Sequence, residues 1–239
     1  MRNVWTIARR ELYAYFSSPI AYVTMAAFLG VMGLLFWLII VYSQQAVMGY
    51  VLGSGWVFFV LILFAAVVTM RLLAEEQRSG TIELVLTAPV RDWELVVGKY
   101  LASLILFLTM LAIGLYQPLI LVQLGNPDIG ATVSGYLGFI LVGAALLAVG
   151  TLASTVTRNQ VVAAITGIAI SVALWLVQFV GSRSAGTLVG DFLTQLAIFG
   201  HYQDFIDGVI DTQHVLYYLS LVVVSLFLAT RVLAARRWR

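Results

Sequence analysis

Six stretches of this chain, at 20–42, 51–73, 100–124, 133–156, 161–180 and 215–233, are apolar for about twenty residues each. About that many apolar residues carry an α-helix across a bilayer's hydrocarbon core. The reading is six spanning helices. The bulk composition agrees: 62% of residues are hydrophobic and 10% charged, against roughly 25% charged in soluble domains. The expected fold class is an all-α polytopic membrane protein, one transmembrane domain over 1–239. Cysteine is absent, which excludes disulfides and cysteine metal sites. The first apolar run begins late, after an amphipathic stretch, and is long enough to span, so the N-terminus does not read as a cleaved signal.

Charge placement orients the spans. Six spans put both termini on one side. Of the 13 basic residues, 12 then share that side: Arg2, Arg9, Arg10, Arg71, Arg78, Arg91, Lys99, Arg158, Arg231, Arg236, Arg237 and Arg239. Arg183 falls on the other, beside Asp191, Asp204, Asp207 and Asp211, with Asp128 in another loop there. Basic loops stay in the cytoplasm, so both termini are expected there, in a multi-pass protein of the inner (cytoplasmic) membrane.

Residues 1–19 read as an interfacial helix. Val4, Trp5, Ala8, Leu12, Tyr15 and Phe16 share one face, and Arg2, Asn3, Thr6 and Arg10 lie opposite. Ser17-Ser18-Pro19 breaks it. Glu11 stands out within the apolar stripe. Either it pairs with an arginine or reaches water, or it joins a cytoplasmic polar contact with the charged segment at 74–99 or with a partner.

That segment concentrates charge in Glu75, Glu76, Arg78, Glu83, Arg91, Asp92, Glu94 and Lys99. Span two is expected to run on as helix through Leu72, Leu73 and Glu76. Ser79-Gly80 offers a turn. Thr81 can cap a short helix with Glu83 in its first turn, edged by Ile82, Val85 and Leu86 and stopped by Ala88-Pro89. From Arg91 a third helix leads into span three, with Trp93, Val96, Val97, Tyr100, Leu101 and Leu104 at helical spacing. A flexible linker would be rich in glycine and serine; this connection is stiff.

The stretch EEQRSGTIELVLTAPVRDWELVVGKYLA resembles the signature of ABC-2-type transporter permeases, the coupling-helix region that contacts the ATPase. Thr81, Glu83, Leu84, Leu86, Pro89, Gly98, Lys99, Leu101 and Ala102 match as they stand. RRELYAYFSSPIAY resembles the family's elbow helix. HYQDFIDGVIDTQHVLYYLSL is similar to a subgroup related to gliding-motility and nitrous-oxide-reductase-maturation permeases. His201, Phe205, Gly208, Val209, Asp211, Val215, Tyr217 and Tyr218 carry that likeness, and Tyr202 departs from it. The resemblance implies ATPase coupling through Glu11, Glu75, Glu76, Arg78, Gly80, Thr81, Glu83, Leu84, Leu86 and Pro89. It implies an outer gate or partner face at His201, Phe205, Gly208 and Asp211. It further implies an exporter built as a dimer, with a second copy or a paralogue, over separate ATPase chains that carry ATP and Mg. Membrane lipid and an extracytoplasmic protein are further candidate partners; nothing points to nucleic acid.

The chain has no G-x-x-x-x-G-K-[ST] phosphate loop, so it is expected to bind no cofactor itself and to be no enzyme. No carboxylate or base lies deep in the spans, which speaks against an ion-coupled transporter. Gln117 beside Pro118, Gln123 and Gln178 are the neutral polar groups at depth. Gly138, Gly143, Ala144, Ala148, Ala163 and Gly167 read as close helix packing. Between spans five and six, 181–214 is expected to form short outer re-entrant helices. His201, Asp204, Asp211 and His214 show no regular ligand spacing, so no metal site is assigned. Gly53-Ser54-Gly55 superficially suggests a hydrolase serine, without a supporting histidine–carboxylate pattern. The competing functional reading is a scaffold or mechanotransmission subunit that moves no cargo.

Overall fold

The computed structural model describes residues 2–80, 90–183 and 186–236, which form helices joined by turns, with no strands among them. The first helix, α1 (Arg2–Ser17), meets α2 (Pro19–Ser43) at Ser18. Proline suits the first helical position, because its fixed φ matches the helix and its missing N–H has no partner there anyway. Then come α3 (Met48–Leu52), α4 (Gly55–Thr69) and α5 (Ala74–Ser79). They are followed by α6 (Asp92–Gly114), α7 (Tyr116–Leu124), α8 (Ile129–Val156) and α9 (Gln160–Arg183). Two short helices, α10 (Leu188–Leu196) and α11 (Gly200–Ile206), precede α12 (Thr212–Arg236). Six segments are long and apolar enough to cross a membrane: Ala21–Ser43, Gly55–Ser79, Asp92–Leu124, Ile129–Val156, Gln160–Arg183 and Thr212–Ala235.

Three details depart from the sequence reading. Span two does not run unbroken to Glu76, because residues 70–73 form turns between α4 and α5. Span three is two helices rather than one, broken at Leu115. Pro118 is the physical cause: it cannot donate to the carbonyl four residues back, Gly114, and its ring crowds that oxygen. The buried face of α6 is also rotated from the expected one. Leu95, Val96, Lys99, Tyr100, Ala102 and Leu106 are buried, while Trp93 is 40% exposed.

The helices α4 and α8 are mostly buried and form the centre; α2, α9 and α12 are mostly peripheral. Apolar helices in lipid gain little from hydrophobic burial against one another, so packing depends on close approach. A Cβ at Gly150 would lie 2.1 Å from Thr69 Oγ1, and one at Gly143 would lie 2.2 Å from the Phe107 ring. These two glycines let α4 and α6 come against α8. At the end carrying both termini, Leu73, Leu95, Val96, Ala229 and Leu233 form a small core with Ile7 and Leu152 packed on it. At the opposite end, α11 and Phe199 just before it insert aromatic side chains between spans. Phe58 meets Phe199 at 4.9 Å and Tyr202 at 6.5 Å, and Tyr202 meets Phe139 at 6.4 Å between ring centroids.

Candidate functional site

At the terminal face, one nitrogen gathers three elements. Lys99, on the second turn of α6, has its side chain 3% exposed. Its Nζ lies 2.8 Å from Glu11 Oε1 of α1 and 2.8 Å from Glu76 Oε1 of α5. An ammonium this deep needs paired charge to offset lost hydration. The carboxylates come from an interfacial helix and from the extension of span two, so the ion cluster ties both to span three. Glu11 thus makes the contact with the charged segment, and its partner is a lysine rather than an arginine.

Neighbouring contacts hold this arrangement in place. Gly98 lets α1 lie directly on α6: a Cβ there would be 2.8 Å from Ile7 Cβ and 3.0 Å from the Val4 carbonyl oxygen. Asn3 Nδ2 donates to Glu94 Oε2 at 3.1 Å, and the same oxygen accepts from the Arg91 N–H at 3.0 Å, closing the start of α6. Burial pushes the Tyr15 phenol above its usual value; it stays protonated and donates to the Val68 carbonyl at 3.2 Å. Ser154, from α8, caps the broken span two. Its Oγ accepts from the N–H groups of Leu73 and Ala74 at 3.1 Å each and donates to the Met70 carbonyl at 3.2 Å. Gln77 Nε2 donates to the Thr155 carbonyl at 3.1 Å. The orientation of α5 is therefore set by α8 as well as by α6.

The remaining expected coupling residues are spread along this edge. Glu75 pairs with Arg71 at 3.0 Å, on the exposed side of α5. Arg78 is exposed in its last turn. Gly80 ends α5 with φ of +74°, the left-handed conformation that glycine adopts freely. Thr81, Glu83, Leu84, Leu86 and Pro89 lie outside the described residues, as does the expected short helix between them.

At the far face, His201 and Phe205 are both buried. His201 Nδ1 faces His214 Nδ1 at 2.8 Å, and His214 Nε2 lies 2.5 Å from Asp204 Oδ2. Gly208 takes φ of +87° after α11 and packs its Cα side on Ala131. Asp211 is separate: its Oδ1 accepts from the Gln213 N–H at 2.8 Å and caps α12. Among the described residues no group of three or more His, Asp or Glu side chains is arranged so that it could hold a metal ion. The surface hollow at Ser54 is lined by Leu35, Ile39, Tyr42, Tyr50 and Trp56 among others, and no histidine contributes to it.

Sequence reasoning kept Lys99 only as a motif match and missed Ser154 and Gln77. A signal for Lys99 was present: it is a lone cation on an otherwise apolar helix face, as Glu11 is a lone anion on another. Ser154 carries no such mark, since a serine in a span is unremarkable without its partner.

The family described as ABC-2 family transporter protein matches residues 13–237. The chain belongs to that family. It is a multi-pass membrane permease subunit of an ABC transporter, and membership implies an ABC ATPase subunit as partner. No curated protein matches the chain.

Proposed function

We propose that this subunit is one half of an exporter whose separate ATPase chain drives it from the terminal face, with both termini in the cytoplasm. The ATPase, holding ATP and Mg, engages the segment after α5. Motion there enters the bundle along two rigid routes. One is the Glu76–Lys99–Glu11 cluster, which links α5 to span three and the elbow helix α1. The other is the Ser154 cap, which links the end of span two to the central helix α8. The single observation carrying this reading is Lys99 Nζ at 2.8 Å from both carboxylates. Because α1, α5 and α6 share one buried cation, a push on α5 cannot move it alone. A second copy, or a paralogue, completes the pathway, and the segment around His201, Phe205 and Gly208 forms its outer closure. The sequence similarity of 201–221 to permeases of gliding motility and nitrous-oxide-reductase maturation supports an extracytoplasmic protein as a further partner.

The test is reconstitution with the cognate ATPase in lipid. Glu76→Gln and Glu83→Lys should insert normally and lower the permease-dependent stimulation of ATP hydrolysis several-fold. Unchanged stimulation in both variants, or failure of any ATPase chain to copurify, refutes the reading.

A further inference from the structure

The two histidines of the far face meet in a geometry that fixes their proton count. His201 Nε2 lies 3.0 Å from the Gln195 carbonyl oxygen. A carbonyl oxygen can only accept, so this nitrogen carries hydrogen. His214 Nε2 lies 2.5 Å from Asp204 Oδ2, and the Asp204 side chain is half exposed. A carboxylate also only accepts, so His214 Nε2 carries hydrogen too. The remaining two nitrogens, both Nδ1, are 2.8 Å apart. Two bare lone pairs at that distance repel, and so do two N–H groups. The contact requires a single hydrogen between them.

We propose that His201 and His214 form a binding site for one proton, shared between their Nδ1 atoms and balanced by Asp204. The pair then holds three ring hydrogens on four nitrogens: one imidazolium and one imidazole. The charge resides on His214, which faces Asp204 directly. His201 is the neutral acceptor; its ring is buried and stacked on Tyr217 at 4.1 Å, and burial pushes its pKa below the usual value.

The surroundings favour this single charge. From α11 comes Asp204. From α12 come Tyr217 and Tyr218, whose hydroxyls donate to the Leu196 and Ile198 carbonyls at 2.8 and 2.7 Å. From α10 comes the Gln195 carbonyl, with Asp191 back in that helix's first turn. Helix α8, packed beneath α11, contains no Asp, Glu, Lys or Arg. Asp211 is taken by the Gln213 N–H. Half-exposed Asp204 is the side chain through which the pair meets water.

The bound proton joins α11 to the start of α12 and, through Gln195, to the end of α10. It fastens the outer segment onto the last span. Its removal at alkaline pH brings two lone pairs together. A second proton at acidic pH must go to His201, and two N–H groups then oppose each other. The sign follows from the lowered His201 value. The folded segment binds this second proton less well than the unfolded chain does. Against this second proton the latch is whole above about 6.5, the ordinary histidine value, and fails as pH falls through the depressed one; on the alkaline side it fails by loss of the shared proton. This assignment does not depend on what the transporter moves, so a failed coupling assay leaves it standing.

The chain has two histidines, so histidine-selective 15N labelling reads this pair without background. The full-length protein in lipid nanodiscs should show, at pH 7, His214 with both ring nitrogens protonated and His201 as the Nε2–H tautomer. Titration should proceed in two separated steps that belong to the pair. Asp204→Asn should lower the upper step by at least one pH unit, a tenfold loss of proton affinity. His214→Gln should collapse the behaviour to one step. Two neutral imidazoles at pH 7, or two independent titrations near the ordinary value, in the wild-type protein overturn the proposal whether or not the variants fold.

Discussion

Replacing Lys99 by glutamine removes the cation that holds Glu11 and Glu76 while keeping a side chain of similar reach. Both carboxylate oxygens contact one nitrogen at 2.8 Å, so they lie within about 5.6 Å of each other, twice that distance. At an effective dielectric of about 20, two like charges at that separation repel by about 3 kcal/mol. Each ion pair in the intact cluster is worth about 6 kcal/mol in gross Coulomb energy on the same scale. That gain is largely offset by dehydrating the ammonium, so the cluster as a whole contributes little net stability. What the substitution exposes is the unbalanced remainder. The expected loss is about 3 kcal/mol, at the lower end of what breaking a buried ion pair does. The signature is a change of sign. Glu76→Gln alone should destabilise, because it removes half the compensation of a buried ammonium. Glu76→Gln added to Lys99→Gln should stabilise, because it removes the repulsion. A double-mutant cycle in mixed micelles, with unfolding followed by tryptophan fluorescence, measures the coupling. A Lys99→Gln loss below about 1 kcal/mol, with a further loss on adding Glu76→Gln, would refute the electrostatic account.

Two other perturbations test the links around the cluster. Ser154→Ala leaves the Leu73 and Ala74 N–H groups without their acceptor; we expect a loss of about 2 kcal/mol and faster amide exchange at those two positions, and unchanged exchange contradicts the cap. Gly98→Ala drives a methyl against Ile7 and the Val4 carbonyl, which should cost about 1–3 kcal/mol as overpacking; limited trypsin digestion at Arg9 and Arg10 should accelerate as α1 lifts, and an unchanged rate excludes the close approach.

The number of spans, their positions, the break at Ser18-Pro19 and the turn at Gly80 all follow from local properties. Run length sets whether a helix can cross the bilayer, and proline and glycine act on their own backbone. The two short helices before the last span were legible for the same reason, since their apolar residues are too few to cross. Which face each span buries was not. A helix surrounded by lipid on one side and helices on the other is apolar all round, so periodicity no longer marks its inside. That is why the buried face of α6 came out rotated, and why the central place of α4 carries no compositional sign, whereas the small residues of α8 marked its close packing. The functional contacts are longer-range still. Glu11 and Lys99 are 88 residues apart, and Ser154 and Leu73 are 81 apart. Each half of such a pair is an ordinary residue until packing sets the other half against it. His201 and His214 are only 13 apart, yet their shared hydrogen depends on how α11 turns back onto α12. Covalent order alone does not specify that angle; the aromatic packing of the far face sets it.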